Sequence, residues 1–246
     1  MGINKGVPSF NYKDHYERDA DRVNMLTGMG HWREYRDLRR FQTILDSFPR
    51  KSGLSVLDIG CGDGAFLAFA ASRGFKVAGL EISEKRVRRA KIFLSSRDIS
   101  ADVVVGDVNK IPFRDKTFNA VVASEVVEHL PVPLAAVSEM RRVSKPGGLV
   151  LVAVPYKEKI ISDQCIHCGK LTPRNGHLHS FDISALTKLL ENAGLKDVSS
   201  YRCVSLRTPF WGRVGKKLPY FIWKLFDRLF TQLGDEANWI IARGRA

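Results

Sequence analysis

Two acids and three glycines share the seven residues Asp58-Ile59-Gly60-Cys61-Gly62-Asp63-Gly64. The apolar pair Val56-Leu57 leads in, and Ala65-Phe66-Leu67-Ala68-Phe69-Ala70 leads out with helical composition, so the pattern predicts strand, tight loop, helix. Glycine suits a loop whose backbone touches a ligand: a Cβ would fill the ligand's space, and other residues resist positive φ. The helix that follows turns unpaired N–H groups toward whatever sits over the loop. The spacing is G-x-G-x-G, not the G-x-G-x-x-G that seats a pyrophosphate, and carboxylates at Asp58 and Asp63 would repel such an anion. A ligand carrying positive charge, an ammonium or a sulfonium, fits that field.

Further acids stand where neighbouring strands should end. A second strand, Phe75 to Leu80, stops at Glu81, whose two carboxylate oxygens can accept both hydroxyls of a ribose. Ser83 caps the helix that runs to Ser96, so Glu81 equally suits the field of that first helical turn. A third strand, Ala101 to Val105, runs into Gly106-Asp107-Val108-Asn109-Lys110-Ile111-Pro112-Phe113. A fourth ends near Ala123-Ser124 and is followed by Glu125-Val126-Val127-Glu128-His129, which opens toward the reacting end of such a sheet.

Together these residues resemble the class I S-adenosylmethionine-dependent methyltransferases, in the branch of the type 11 methyltransferase domain. The likeness rests on an acid followed by G-x-G-x-G, on the G-D-x-x-x-[LI]-P-F phrase at 106–113, and on Arg141-Arg142-Val143-Ser144-Lys145-Pro146-Gly147-Gly148; it covers residues 54–195. It implies a doubly wound α/β sandwich with seven strands in the order 3-2-1-4-5-7-6, the last antiparallel. It also implies S-adenosyl-L-methionine as cofactor, with Asp58, Gly60, Cys61, Gly62, Gly64, Glu81, Ile82, Asp107, Val108 and Ser124 around it. In that family Asp107 would accept from the adenine amine and the Val108 amide would meet a ring nitrogen. His129 is the first candidate for a general base and Glu125 the second. No N-P-P-Y, the arrangement that methylates exocyclic amines of DNA bases, is present.

The 246 residues suffice for one large α/β domain, and 44% hydrophobic content supplies its core. The expected organisation is a helical cap at 1–50, a core at 51–206 with an insertion at 156–181, an amphipathic insertion at 207–236, and a final strand at 237–246. The cap, rich in aromatics from Phe10, Tyr12 and Tyr16 to Trp32 and Tyr35, reads either as a lid over the ligand or as a helix on the sheet edge. Without a membrane-length apolar run or a charged-then-apolar leader, a cytoplasmic location is expected, with possible placement at the membrane surface. The net charge of +13 points to an acidic partner, such as nucleic acid, anionic lipid or an anionic substrate.

Two metal readings compete. Cys165-x-x-Cys168-Gly169 has the shape of half a zinc knuckle that His177 and His179 could complete, against free thiols in a loop. Glu125-x-x-Glu128-His129 with His179-Ser180-Phe181-Asp182 instead resembles the divalent-metal site of small-RNA 3′-end 2′-O-methyltransferases, and similar clusters occur in ubiquinone-pathway O-methyltransferases. An ion there would lower the pKa of an acceptor hydroxyl. Farther on, residues 216–233 form a basic amphipathic helix whose polar positions 224, 227, 228 and 231 share one face. It can pack on the domain, cover an apolar substrate, meet a second copy or lie in a membrane interface.

The function these residues point to is methyl transfer to a small-molecule or lipid-linked acceptor, at oxygen. Three alternatives stay open. An RNA 2′-O-methyltransferase would account for the charge, although no recognised RNA-binding module is present. A polyamine synthase would use the same fold. A non-catalytic S-adenosylmethionine-binding module would keep the ligand without the reaction.

Overall fold

The computed structural model describes residues 11–22, 31–49, 51–164, 171–203, 217–233 and 237–246. In chain order its elements are α1 (Tyr12–Arg22), α2 (His31–Leu45), β1 (Ser55–Ile59), α3 (Ala65–Ala71), β2 (Lys76–Glu81), α4 (Glu84–Ser95) and β3 (Ala101–Val105). There follow β4 (Phe118–Ser124), α5 (Pro133–Val143), β5 (Ser144–Pro155), β6 (Ser162–Gln164), β7 (Leu171–Pro173), α6 (Ile183–Asn192), β8 (Lys196–Cys203), α7 (Tyr220–Leu233) and β9 (Trp239–Arg245).

Seven strands form one sheet in the order β3-β2-β1-β4-β5-β9-β8, with β9 antiparallel to both neighbours. This is the expected 3-2-1-4-5-7-6 once β6 and β7 are set aside; they make a small hairpin of their own inside the 156–181 insertion. β1 and β4 are buried on both faces, as central strands of a parallel sheet are, and Asp58 is carried into the interior with its apolar neighbours. Met140 of α5 and Leu186 of α6 join the core on one side of the sheet, while Ile44, Leu67, Val87 and Trp223 from α2, α3, α4 and α7 join the core on the other. Strand order reverses between β1 and its two neighbours β2 and β4, which opens a crevice at the carboxyl ends of the strands.

The segment before β1 divides in two. α2 packs as a buried layer through Tyr35 and Ile44. α1 had no apolar stripe by which to be recognised. It is held on α4 by polar contacts: Asp19 to Arg86 at 2.5 Å, Asp21 to Lys85 at 2.7 Å, and the Ala20 carbonyl to Arg89 at 2.8 Å. The described part of β8 ends at Cys203. No described helix is long and apolar enough to cross a membrane.

Candidate active site

The crevice is a cleft whose floor is made by Gly60, Glu81, Asp107 and Val108 at the tips of β1, β2 and β3. Gly60 has φ +68, and a Cβ there would lie 2.4 Å from Val126 Cγ2, so the loop is bare for two reasons, backbone conformation and the side chain beyond it. Glu81 is the organiser of this floor. One of its oxygens accepts from the Gly62 amide at 2.9 Å; the other accepts from the amides of Ile82 at 2.9 Å and Ser83 at 3.0 Å. Burial raises its carboxyl, and those amides with the Arg86 charge pull it back. A carboxylate has about four lone-pair directions, so it can hold the loops and still receive a ribose hydroxyl. The three amides leave about one such direction, room for a single ribose hydroxyl and not for both.

Asp107 accepts from the Asn109 amide at 2.9 Å and the Tyr12 hydroxyl at 2.7 Å, and pairs with the Lys13 ammonium at 2.9 Å. Burial works against its charge, but Lys13, Asn109 and Tyr12 together hold the carboxyl below its ordinary range. α1 walls one side of the cleft, with Tyr12 and Tyr16 both lining it. Their i, i+4 spacing was the available signal, since it puts two aromatics on one helix face.

Several expected cofactor residues lie behind the surface of the cleft. Asp58 is buried in β1, its carboxyl well above the ordinary range through burial and the neighbouring Glu81 charge. The Cys61 thiol fills the space over Gly79, where a Cβ would lie 2.7 Å from Sγ. Gly64 caps α3 at φ +91, and Ser124 Oγ is buried without a hydrogen-bond partner. Asp63 does not contribute to an acidic field over the loop: it is buried and paired with Arg89 at 2.9 Å. The charge expected there is spent inside the fold.

The other end of the cleft is built from β4's terminus and from the insertion. Glu125 sits at φ +60, in the left-handed region that favours glycine and that a side-chain-bearing residue rarely adopts. It accepts from the Trp239 indole N–H and faces the Arg40 guanidinium at 3.5 Å, so its oxygens are committed. His129 lines the cleft, with the ring of Tyr16 edge-on at 5.3 Å. Its Nδ1 lies 3.2 Å from the Gly176 carbonyl. A carbonyl only accepts, so Nδ1 carries the proton and Nε2 keeps its lone pair. Burial, then the adjacent His177, lowers the ring's pKa to about 3.

Glu128 is 1% exposed, and neither of its carboxylate oxygens has a hydrogen-bond partner. Burial and the charge of Glu125 push its carboxyl well above the ordinary range. Its Oε1 is 3.9 Å from His129 Nε2. Glu128, His129 and His177 each offer a ligand atom, all within 4.8 Å of one another, a spacing a divalent ion can bridge. The histidine of this cluster is His177, not the expected His179, whose Nε2 is 2.9 Å from the Leu130 carbonyl. His177 Nδ1 also contacts Glu158. Cys165 and Cys168, the core of the zinc-knuckle reading, lie outside the described residues. Nothing in their local sequence marks His177 over His179; the backbone does, because the amides of Leu178 and His179 both bond the Glu128 carbonyl and set the direction of the loop.

A family model described as a methyltransferase domain matches residues 29–200. A protein of Methanocaldococcus jannaschii without assigned function is 27% identical over 213 residues, 84% of this chain and 90% of its own length. The 27-O-demethylrifamycin SV methyltransferase of Amycolatopsis mediterranei is 27% identical over 221 residues, 82% of this chain and 79% of that protein. Two other curated methyltransferases are spanned over only 27% and 34% of their length. Among solved structures, phosphoethanolamine N-methyltransferase 2 of Haemonchus contortus, in complex with S-adenosyl-L-methionine, has the same fold at TM-score 0.61 and 20% identity, covering 84% of this chain and 52% of that one. With a bare G-x-G-x-G loop, acids at the tips of β2 and β3, this strand order and a family match over most of its length, the chain belongs to the methyltransferase-domain family and is a class I S-adenosylmethionine-dependent methyltransferase.

Proposed function

We propose that this chain transfers a methyl group to an oxygen of a small or lipid-linked acceptor bound between Tyr16, Glu125 and His129. S-adenosylmethionine supplies a methyl on a sulfonium, which is already a good leaving group. The protein's share is then alignment and exclusion of water. Gly60, Glu81 and Asp107 fix the cofactor end, and α1 closes one side. The observation that carries an oxygen acceptor is His129: its Nδ1 proton is committed to Gly176, leaving Nε2 as a hydrogen-bond acceptor for an incoming hydroxyl. With a pKa near 3, the ring is suited to orient an O–H and to take its proton late, not to ionise it beforehand. That favours an acidic hydroxyl, phenolic or enolic. The O-methyltransferases among the relatives, including a ubiquinone biosynthesis enzyme of Azoarcus at 29% identity over 164 residues, support this reading.

The decisive experiment is transfer of labelled methyl from S-adenosylmethionine into a lysate divided into small-molecule, lipid and RNA pools. Label in a small-molecule or lipid pool as an O-methyl group is the expected result. Label in RNA alone points to the 2′-O-methyltransferase, and tight S-adenosylhomocysteine binding with no transfer points to a binding module; either overturns the proposal.

A second reading adds a divalent ion, and the orphaned carboxylate of Glu128 is what favours it. Two lone-pair donors 3.9 Å apart, Glu128 Oε1 and His129 Nε2, need a proton or a cation between them. Glu128, His129 and His177 would hold the ion, which would supply Lewis acidity to an acceptor oxygen. Calorimetry with magnesium, manganese and zinc tests it: saturable binding to the native chain that Glu128→Gln abolishes supports the ion, and no binding of any of the three removes it.

A further inference from the structure

α7 is packed the opposite way from an ordinary surface helix. Its inward face carries Trp223, Asp227 and Thr231, all buried, with the Trp223 indole donating to the Tyr35 hydroxyl at 2.6 Å. Phe221 and Leu225, 73% and 69% exposed, and Phe226, Leu229 and Phe230, all at least 40% exposed, project outward. A sequence reading that sorts residues into polar and apolar faces therefore puts the wrong side against the domain. Burying Asp227 while exposing three phenylalanines is unfavourable in water, so the helix is shaped for a second apolar medium.

We propose that this face of α7 seats the protein on an anionic lipid surface. Charge selects that occupant. Lys217 and Arg228 are exposed beside the apolar face, and the only acid of the helix, Asp227, is turned inward. The whole chain carries +13. A second copy would bring the same cations and the same net charge against each other, whereas acidic headgroups complement both. Five large apolar side chains flanked by cations are what an interfacial helix needs to enter the headgroup boundary. α2 carries both ends of the arrangement: Tyr35 meets Trp223 of α7, and Arg36 stacks 5.0 Å from the ring of Trp239, the partner of Glu125 in the cleft. The surface and the cleft are thereby held in one orientation, whatever the acceptor proves to be.

Co-sedimentation of the full chain with phosphatidylcholine vesicles, with and without phosphatidylglycerol, tests the proposal. The native chain should bind the anionic vesicles at low salt and be released as salt rises. Phe221→Ser/Leu225→Ser/Leu229→Ser should weaken binding at least about 10-fold, because it removes the apolar contact. Lys217→Glu/Arg228→Glu, which changes two exposed side chains, should erase the preference for phosphatidylglycerol. Calorimetric affinity for S-adenosylhomocysteine must stay unchanged in both variants, which shows that each is folded. The proposal is overturned if folded native protein ignores anionic vesicles, if both variants bind them as well as the native chain, or if sedimentation instead shows a dimer that the triple variant converts to monomer without any vesicle binding.

Discussion

The two ends of the cleft differ in how well their polar atoms are satisfied before any ligand arrives. At the cofactor end Glu81 receives three amides, and Asp107 is met by an amide, a hydroxyl and an ammonium. At the acceptor end Glu128 and Tyr16 hold buried oxygens with no hydrogen-bond partner among the described residues. Orphaned polar atoms are destabilising, about 1–3 kcal/mol each, and are kept where a ligand will meet them. The difference teaches that the cofactor end is pre-organised and rigid, while the acceptor end stores unfavourable desolvation that only binding relieves.

The largest test of this contrast is Glu81→Ala. It removes the carboxylate that ties the Gly62 loop to the start of α4, so S-adenosylhomocysteine affinity should fall by roughly 100-fold or more, with a lowered Tm, by calorimetry and thermal melts. Equal affinity in the variant would break the assignment of the cofactor end. Next in size, His129→Ala should reduce kcat by roughly 100-fold while leaving S-adenosylhomocysteine affinity within about twofold, the result expected if the ring serves the acceptor as proposed. A matching loss of cofactor affinity would mean that the two ends are not separate.

Glu128→Gln gives a pH-dependent answer. Its folded-state pKa is raised, so the fold keeps the proton longer than the unfolded chain does. The stability from that proton is complete below the ordinary carboxyl range and is lost as pH rises through the raised value. The metal-free Gln variant should therefore melt higher than the native chain at about pH 8 and nearly equally at about pH 4. A Tm gain of the same size at both pH values would show that the carboxyl is not the source. The smallest effects come from a matched pair of tyrosines. Tyr12→Phe removes a hydroxyl bonded to Asp107 and should lower stability by about 1 kcal/mol and raise KM for S-adenosylmethionine a few-fold, whereas Tyr16→Phe removes an orphan and should be neutral or stabilising by about 1 kcal/mol. If the two variants behave alike, the distinction between the ends fails.

How much of this could be read in the chain depends on how far apart the partners lie. The glycine loop, Glu81 and Asp107 each belong to a strand, loop and helix repeat whose apolar runs and breakers are local, and parallel strands joined by right-handed crossovers leave few ways to arrange them. Their convergence at the strand tips followed from the sequence with little ambiguity. Asp63 shows the limit even there: an acid beside a glycine loop reads the same whether it faces a ligand or Arg89 of α4. In α1 only the Tyr12 and Tyr16 spacing was a signal, because charge pairs, not apolar periodicity, hold the helix in place.

By itself the sequence determined the order of the sheet, the bare loop at Gly60 and the acids at the tips of β2 and β3, because each is set by the conformational needs of its own few residues and by the short list of ways to wind a parallel sheet. Only the tertiary structure decided that His177 and not His179 joins Glu128 and His129, that Glu125 is bound to Trp239 from the last strand, and that α7 turns its phenylalanines outward. Those outcomes rest on contacts between segments tens to more than a hundred residues apart, where the direction of one loop or the rotation of one helix about its axis is settled by the partner it meets and by nothing in its own composition.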